Sequence, residues 1–390
     1  MEHLNLNLNL NLSLNLSLNL NPNLMLDRRE FLQKLAVGSG ALAIPELHRG
    51  LFPADKILGI ALVGLGNYAT HQLAPALQHT QRCRLVGLVT GTPEKAKTWS
   101  AKYRIPEKNI YNYQNFDEIR NNPDIDIVYV VLPNSMHAEY TIRAAKAGKH
   151  VICEKPMALN VQECEAMIRA CAENRVQLSI GYRLYFEPHH LEMRRLGTQK
   201  ILGNVKMMES SLGFSMANPK VWRLNKAMGG GGAIMDLGVY CIQGARRTVG
   251  ELPESVTAQG FVLDKSVFKD IYEGMTFQMN FPGGAVSNST TTYSSYVDRL
   301  YATTGGKWFE LNPSYNATGA GGRFSDDQIR PFELKTKAFQ QIDQMDDFAD
   351  CIAAKRTSSA SGEEGLIDLK IIEAIKQSAD TGRKVRLVWE

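Results

Sequence analysis

The chain has 390 residues, of which 44% are hydrophobic and 22% charged, and its formal net charge is +4. This length and composition are typical of a globular protein of about two domains, and the lack of an apolar run of about 20 residues argues against stable membrane insertion. No basic stripe interleaved with aromatic residues is present, which argues against a nucleic-acid partner. The six cysteines have neither zinc-ligand nor disulfide-framework spacing, so we expect buried thiols and no metal.

Residues 1–24 alternate almost strictly between Asn and Leu, which indicates a low-complexity leader, and Met25 offers an alternative start. Residues 25–43 contain the pair Arg28-Arg29, a Phe-Leu-x-Lys continuation, a short apolar stretch and a small-x-small cleavage pattern. These features predict a Tat signal peptide, with the Tat export machinery as a partner and the periplasm as the destination. An amphipathic helix that begins with two arginines is the alternative. Residues 44–55 are expected to form a linker or arm.

Residues 56–181 alternate between apolar strands and helices, which predicts a Rossmann domain. The first strand, residues 57–63, runs into a G-x-G-x-x-A loop that opens a helix. In this loop the first glycine permits a tight turn, the second lets the backbone approach a pyrophosphate, and the alanine stands where helix meets strand. This context favours a dinucleotide site over a chance match. Its predicted contacts are Gly64, Gly66, Asn67 and Tyr68.

The second strand, residues 84–89, has no acidic residue at its tip. An NAD-specific site usually places Asp or Glu there to hold the ribose hydroxyls, and such a carboxylate would repel a 2′-phosphate. Thr90 and Lys95 instead supply a hydroxyl and a cation. The sequence therefore favours NADP. NAD is the alternative because Glu94 lies nearby, and Lys95 has the alternative role of a solvated helix charge.

Strands at residues 125–131 and 150–153 run into loops that should face the nicotinamide, because ligands of parallel sheets bind beyond the carboxyl ends of the strands. Hydride transfer also needs a group that exchanges the hydroxyl proton. Lys155 is a candidate, since an ammonium that is desolvated beside a positive nicotinamide should have a lowered pKa. The Lys155–Pro156 bond is of the kind that can be cis.

The Glu154-Lys155-Pro156 motif after a strand, together with the glycine loop, resembles the glucose–fructose oxidoreductase/inositol dehydrogenase/MocA (Gfo/Idh/MocA) family from about Lys56 to the C-terminus. The segments Gly181-Tyr182-Arg183, Trp222-Arg223 and 230–240 strengthen the resemblance. Many members have His where this chain has Tyr240. A Tyr at this position is similar to the glucose–fructose oxidoreductases. The resemblance implies an α/β fold: an N-terminal Rossmann domain plus a C-terminal α/β domain with a large open, mostly antiparallel sheet.

The glycine-rich segment 230–240 leads into a helix, on which Asp236 and Tyr240 stand four residues apart on one face. The resemblance implies that Tyr240 donates and accepts the proton, Lys155 polarises the reacting oxygen and Asp236 orients the sugar. A buried structural Tyr–Asp pair is the alternative. The resemblance also implies cofactor contacts by Thr90 and Lys95 with the 2′-phosphate, by Tyr113 near the adenosine, and around the nicotinamide or its ribose by Asn134, Glu154, Lys155, Arg183, Trp222 and Arg223.

Residues 182–390 are predicted to form the substrate-binding and oligomerisation domain, and the resemblance implies a homodimer or homotetramer. Strands are expected at residues 205–212, 255–262, 275–281, 285–293 and 299–303, and helices at 338–354 and 363–381. The loop 311–323 is expected to help build the substrate pocket, with Tyr315 reaching the site. His137 is expected to begin a helix, and His189 and His190 to be surface or capping residues.

These observations predict an exported NADP-dependent enzyme that transfers hydride between nicotinamide and a pyranose or ketose. The short arm at residues 44–55 speaks against permanent retention of the cofactor, because the family members with retained NADP carry a longer arm. Two other functions are open. One is a glycosidase that uses bound NAD in a transient oxidation, and the other is a cofactor-binding sensor without turnover.

Overall fold

The computed structural model describes residues 56–389, apart from residues 217, 219 and 318. The leader, the signal peptide and the arm predicted for residues 1–55 lie outside the described residues. Within the described part, the strands form two sheets, one of six strands and one of nine.

Six parallel strands form the first sheet: β1 (Leu58–Val63), β2 (Cys83–Val89), β3 (Ile110–Tyr111), β4 (Ile127–Val130), β5 (His150–Cys153) and β6 (Leu178–Ile180). Their order is β3-β2-β1-β4-β5-β6, which is that of a Rossmann fold. The chain leaves β1 in one direction and returns to its other side with β4. The carboxyl ends of β1 and β4 therefore flank the switch point where a dinucleotide binds.

Helices connect these strands: α1 (Ala69–Leu73, continuing as Ala74–Ala76), α2 (Pro93–Tyr103), α3 (His137–Lys146) and α4 (Val161–Glu173). The prediction that His137 begins a helix is confirmed. Its ring is buried and hydrogen-bonded through both nitrogens to the carbonyl oxygens of Leu132 and Pro156. His137 thus fixes the loop that follows β4 against the loop that follows β5.

The second sheet comprises β7 (Met207–Gly213), β8 (Ser255–Phe261), β9 (Gly274–Asn280), β10 (Val286–Thr292), β11 (Val297–Thr303), β12 (Trp308–Leu311), β13 (Gly322–Ser325), β14 (Ile329–Pro331) and β15 (Val385–Arg386). Their order is β14-β13-β12-β11-β7-β10-β9-β8-β15. Neighbouring strands are antiparallel except β7 and β10, which are parallel. The predicted α/β class with a mostly antiparallel second sheet is confirmed, whereas the parallel pair was not predicted.

The remaining helices are α5 (Pro188–Thr198), α6 (Lys226–Gly229), α7 (Ile234–Gly238, continuing as Val239–Val249), α8 (Gln341–Ala354) and α9 (Gly362–Thr381). Helix α7 is buried along most of its length because it packs against the second sheet, where the Ser210 hydroxyl donates to the Cys241 carbonyl oxygen. Arg246 of α7 donates to Asp368 of α9 at 3.0 Å. These contacts hold α7, and with it Asp236 and Tyr240, in a fixed position.

Helix α8 packs on the first sheet although it follows all but the last strand of the second. Met345 and Phe348 share one apolar core with Ile60 and Leu62 of β1. The Asp346 carboxylate accepts hydrogen bonds from two backbone N–H groups at the start of β2. By its contacts this part of the range 182–390 therefore belongs with the nucleotide-binding sheet.

All six cysteines are buried and free, as expected for small apolar side chains. No group of three or more His, Cys, Asp or Glu side chains with the arrangement of a metal site occurs among the described residues. Over the same residues, every helix is too short or too polar to cross a bilayer.

Candidate active site

The glycine loop after β1 has the two properties that a dinucleotide site requires. Gly64 has a positive φ of 96°, and a Cβ at this position would lie 2.5 Å from the Val131 carbonyl oxygen. A Cβ on Gly66, by contrast, would meet nothing within 4 Å. The loop is therefore packed tightly against the end of β4 at Gly64, while its backbone at Gly66 borders open space in which a pyrophosphate can approach. Asn67 is exposed beside this space.

The side chains predicted to hold the 2′-phosphate lie beside this loop. Lys95 extends from α2 so that its Nζ donates to the Leu65 carbonyl oxygen at 3.3 Å. Thr90 is buried at the end of β2, and its hydroxyl accepts from the Thr92 backbone N–H. Tyr113 lies close by, since a Cβ on Gly91 would be 3.1 Å from its ring. The predicted hydroxyl, cation and aromatic ring thus border one edge of the loop, and they fit a phosphorylated ribose with its base.

Asp236 is the centre of the candidate catalytic cluster. The Lys155 ammonium donates to the Asp236 Oδ1 atom at 3.0 Å and to its backbone carbonyl oxygen at 2.8 Å. At the other carboxylate oxygen, Oδ2, the Tyr293 hydroxyl donates at 3.0 Å and the Arg223 Nε atom lies at 3.1 Å. The Lys155 ammonium also lies 4.6 Å from the centre of the Tyr240 ring. The structure therefore brings Lys155, Asp236 and Tyr240 together.

Burial and mutual attraction determine the charges of this cluster. Burial opposes ionisation of Asp236, but the cations of Lys155 and Arg223 outweigh it and hold the pKa of the carboxyl well below its usual value. Burial likewise disfavours the Lys155 ammonium, yet the charge of Asp236 raises the pKa of Lys155 above its usual value. The prediction of a lowered pKa for Lys155 is therefore wrong, because the protein's own charges raise this pKa. Lys155 is a charged hydrogen-bond donor.

Glu154 lies behind the cluster in a fully buried setting. Its carboxylate accepts from the Tyr129 hydroxyl at 2.7 Å and from the Lys155 backbone N–H at 3.2 Å. Burial raises the pKa of Glu154, although these partners and nearby cations oppose the rise. A Cβ on Gly181 would lie 2.5 Å from one Glu154 oxygen, which explains the glycine of the Gly181-Tyr182-Arg183 segment. The Lys155–Pro156 peptide bond is cis.

Arg183 lies against Tyr240. Its guanidinium carbon is 5.2 Å from the centre of the Tyr240 ring, and its nitrogens donate to the Tyr315 carbonyl oxygen and to Gln340. The Tyr315 ring is 6.1 Å from the Tyr240 ring, and its hydroxyl is hydrogen-bonded to that of Ser210. Arg183 thus fastens the loop that carries Tyr315 beside Tyr240, in agreement with the expectation that this tyrosine reaches the site.

Three further predicted residues lie around the site, and Asn134 links its loop to a segment of the second half of the chain. The Asn134 side-chain amide donates to the Gly229 carbonyl oxygen at 2.9 Å, so the loop after β4 is bonded to the glycine-rich segment that precedes α7. Arg223 lies over the Trp222 ring at 4.4 Å from its centre. Tyr68 of the glycine loop accepts from the Gln341 side chain of α8 at 2.8 Å. The predicted cofactor residues therefore lie on loops and helix starts that border either the glycine loop or the cluster of Lys155, Asp236 and Tyr240.

Tyr293 was missed by the sequence analysis. It follows β10, and only the parallel pairing of β10 with β7 and their packing on α7 bring its hydroxyl to Asp236. The one available signal was an aromatic residue with a polar tip at the end of a strand.

A surface position is wrong for one of the two neighbouring histidines. His189 is buried and its ring bonds the Glu187 carboxylate, whereas His190 is half-buried and its ring bonds the Ser314 carbonyl oxygen. Burial lowers the pKa of His190 to about 4, so this ring is neutral at neutral pH. His190 therefore adds no charge to the region around Arg183 and Tyr315.

Comparison with protein families gives two matches along the chain. The NAD-binding Rossmann fold of the GFO/IDH/MocA oxidoreductase family matches residues 58–182, and the GFO/IDH/MocA C-terminal domain matches residues 190–324. Among curated relatives, D-xylose 1-dehydrogenase [NADP(+)] of Haloarcula marismortui is 28% identical over 345 residues, which are 85% of this chain and 94% of that protein. An oxidoreductase of Rhizobium meliloti, ORF334, is 31% identical over 349 residues, 86% of this chain and 99% of its own.

Among solved structures, the aldose-aldose oxidoreductase from Caulobacter crescentus complexed with glycerol is 42% identical, with a TM-score of 0.83. The match covers 85% of this chain and all of that one. These matches extend across both sheets and include the glycine loop, Lys155, Asp236 and Tyr240. The chain therefore belongs to the GFO/IDH/MocA oxidoreductase family and is a nicotinamide-dependent oxidoreductase.

Proposed function

We propose that this protein is an exported, NADP-dependent sugar oxidoreductase that oxidises an aldose at its C1 hydroxyl. The observation that carries the proposal is the contact of Lys155 with both Asp236 and Tyr240 beside a dinucleotide loop. Two relatives support the choice of substrate and cofactor, since one is named for D-xylose and NADP and the other for aldoses. Lys95 beside the loop supports NADP over NAD.

The protein groups have separate roles in this reaction. The charged Lys155 donates a hydrogen bond to the reacting oxygen of the sugar. Tyr240 accepts the proton of this sugar hydroxyl during oxidation and returns it during reduction. The Oδ2 atom of Asp236 is bonded to Tyr293 and Arg223. Its Oδ1 atom accepts from Lys155 and keeps one free lone pair, so Oδ1 is the atom that can accept from a sugar hydroxyl. The bound nicotinamide supplies the hydride chemistry. The protein thus contributes orientation and proton exchange.

A second sugar is the natural oxidant for the reduced enzyme. In the proposed cycle an aldose loses a hydride and a proton, and an aldose or ketose acceptor later gains both in the same site. The relative named aldose-aldose oxidoreductase supports an aldose as the acceptor. The short arm at residues 44–55 favours an exchangeable cofactor. When free NADP is abundant, the reduced cofactor would then leave and be replaced, and the protein would act as a dehydrogenase rather than transfer hydride between two sugars.

Export through the Tat pathway forms part of the proposal and rests on the Arg28-Arg29 motif. A folded protein suits this route because the nucleotide can be bound before export. Expression of the full chain in a Tat-competent bacterium should place the mature protein in the periplasmic fraction. Replacement of both arginines by lysine should keep it in the cytoplasm, and a periplasmic location of that variant would refute Tat export.

The enzymatic proposal is tested with the purified chain from residue 44 onward. Addition of D-xylose or D-glucose with NADP should give the absorbance of reduced nicotinamide, and a second aldose or fructose should remove it. Tyr240→Phe should abolish both changes, whereas Tyr301→Phe, on the second sheet, should retain them. Lack of any absorbance change with these sugars would refute the proposed sugar oxidoreductase function. Release of an aglycone from a glycoside would then favour a hydrolase, and no release would favour a sensor.

A further inference from the structure

Two large aromatic side chains near the candidate site are unusually exposed. Phe214 is 38% exposed and Tyr296 is 71% exposed, whereas the other Phe, Tyr and Trp side chains that the structure describes are buried or half-buried. Exposed aromatic surface next to a site that binds a small molecule often serves to bind part of that molecule. Their position relative to Asp236 therefore decides whether a substrate can reach them.

The sheet register places these two residues side by side. Strand β7 ends at Gly213 and β11 begins at Val297, and these two residues are paired in the antiparallel ladder. Phe214 is the next residue on one strand and Tyr296 the preceding residue on the other, so both residues flank the last pair of the ladder. The two segments also stay close just beyond this pair, since a Cβ on Gly213 would lie 2.6 Å from the Ser295 carbonyl oxygen.

This aromatic pair is one side chain away from the catalytic cluster. The Phe214 ring centre is 5.7 Å from that of Tyr293, and the Tyr293 hydroxyl donates to Asp236 Oδ2 at 3.0 Å. Tyr293 therefore stands between Phe214 and the carboxylate. A sugar ring held by Lys155 and Asp236 would leave the pair free, whereas a second ring joined to it would reach Phe214 and Tyr296.

We propose that Phe214 and Tyr296 form a second sugar subsite and that the substrates are disaccharides or longer oligosaccharides oxidised at the reducing end. This inference rests on the proposed sugar oxidoreductase function. Aromatic faces suit the C–H face of a sugar ring, whose hydroxyls stay in water. The turn between β10 and β11 adds the hydroxyls of Ser294 and Ser295, which suit the hydroxyls of a sugar ring.

The test compares paired substrates of one and two rings. kcat/KM is measured for D-xylose against xylobiose and for D-glucose against cellobiose, in the unmodified protein and in Tyr296→Ala and Phe214→Leu. Loss of one stacking contact should lower kcat/KM for the disaccharides about five- to tenfold and for the monosaccharides less than about twofold. Leucine at position 214 keeps an apolar side chain against Tyr293. Ile329→Ala, which alters an equally exposed apolar residue on the edge strand β14, should change neither.

Three results would overturn the subsite while leaving the proposed function intact. In the first, the unmodified enzyme does not prefer the disaccharides. In the second, the variants lose kcat/KM equally for monosaccharides and disaccharides. In the third, Tyr296→Ala changes the native mass of the protein but not its substrate preference. The last would make the aromatic pair a contact between copies of the chain. Failure of the unmodified protein to oxidise any of the four sugars would instead refute the proposed function itself.

Discussion

Lys155 and Asp236 form an ion pair of 3.0 Å in which both side chains are nearly buried, with 12% and 13% of their surface exposed. Each charge offsets the burial cost of the other, so the pair is stable only when both are ionised. The pKa of Lys155 is raised and that of Asp236 is lowered as a result. The ammonium is thus maintained as a hydrogen-bond donor at neutral pH by its partner.

Replacement of Asp236 by Asn should shift the pH dependence of the enzyme. Burial of Lys155 persists in this variant while the attraction that raises its pKa is lost, so the lysine should lose its proton at lower pH. The alkaline limb of the kcat/KM profile should move to lower pH, and kcat should fall about 100-fold. Asp117→Asn, at a surface pair with Arg143, is the control. An unmoved alkaline limb would show that Lys155 does not limit activity at high pH.

Removal of the Tyr293 hydroxyl should reduce turnover without loss of the fold. In Tyr293→Phe the ring keeps its contacts with Phe214 and Phe268, but Asp236 Oδ2 loses one of its two fixed partners. We expect kcat to fall about tenfold, because a misoriented carboxylate positions the sugar less well, while the Kd for NADP stays the same. A primary isotope effect with C1-deuterated aldose should rise as hydride transfer becomes limiting. Tyr301→Phe is the control, and an equal loss of NADP affinity would contradict the positioning role.

Much of the first sheet follows from local sequence. Strands such as β1 and β5 are continuous apolar runs that end at glycine or Glu-Lys-Pro loops, so both their position and their role were predicted. The short strands β3, β6 and β12 to β15 were missed because two to four residues carry too little pattern.

The parts that the sequence did not predict depend on contacts between distant segments. The approach of Tyr293 to Asp236 needs the parallel pairing of β7 with β10, and the packing of α8 on the first sheet joins residues more than 250 positions apart in the chain, such as Arg82 and Asp346. The rise in the pKa of Lys155 has the same origin, since its partner is 81 residues away. Local patterns carry no record of such pairings.

The two glycines of the dinucleotide loop should respond differently to alanine. Gly64→Ala forces a side chain onto the Val131 carbonyl oxygen at a positive φ, which should lower the free energy of unfolding by about 1–3 kcal/mol or more. Gly66→Ala places its methyl in open space, so the melting temperature of the free protein should change by less than about 2 °C, while NADP binding weakens. Thermal melts with and without NADP measure both effects. Equal melting temperatures of the two variants would contradict this account.

Lys95 should determine the preference for NADP. Its ammonium lies against the Leu65 carbonyl oxygen beside the glycine loop, where a 2′-phosphate can replace that contact with a charge-assisted one. In Lys95→Ala the Kd for NADP, measured by fluorescence titration, should rise about 10-fold or more, while the Kd for NAD changes less than about twofold. Lys97→Ala is the matched control, because Lys97 is an exposed lysine of the same helix and should leave both constants unchanged. Equal weakening of NADP and NAD would mean that Lys95 supports the loop rather than the phosphate, and Glu94 would then be the residue to replace next.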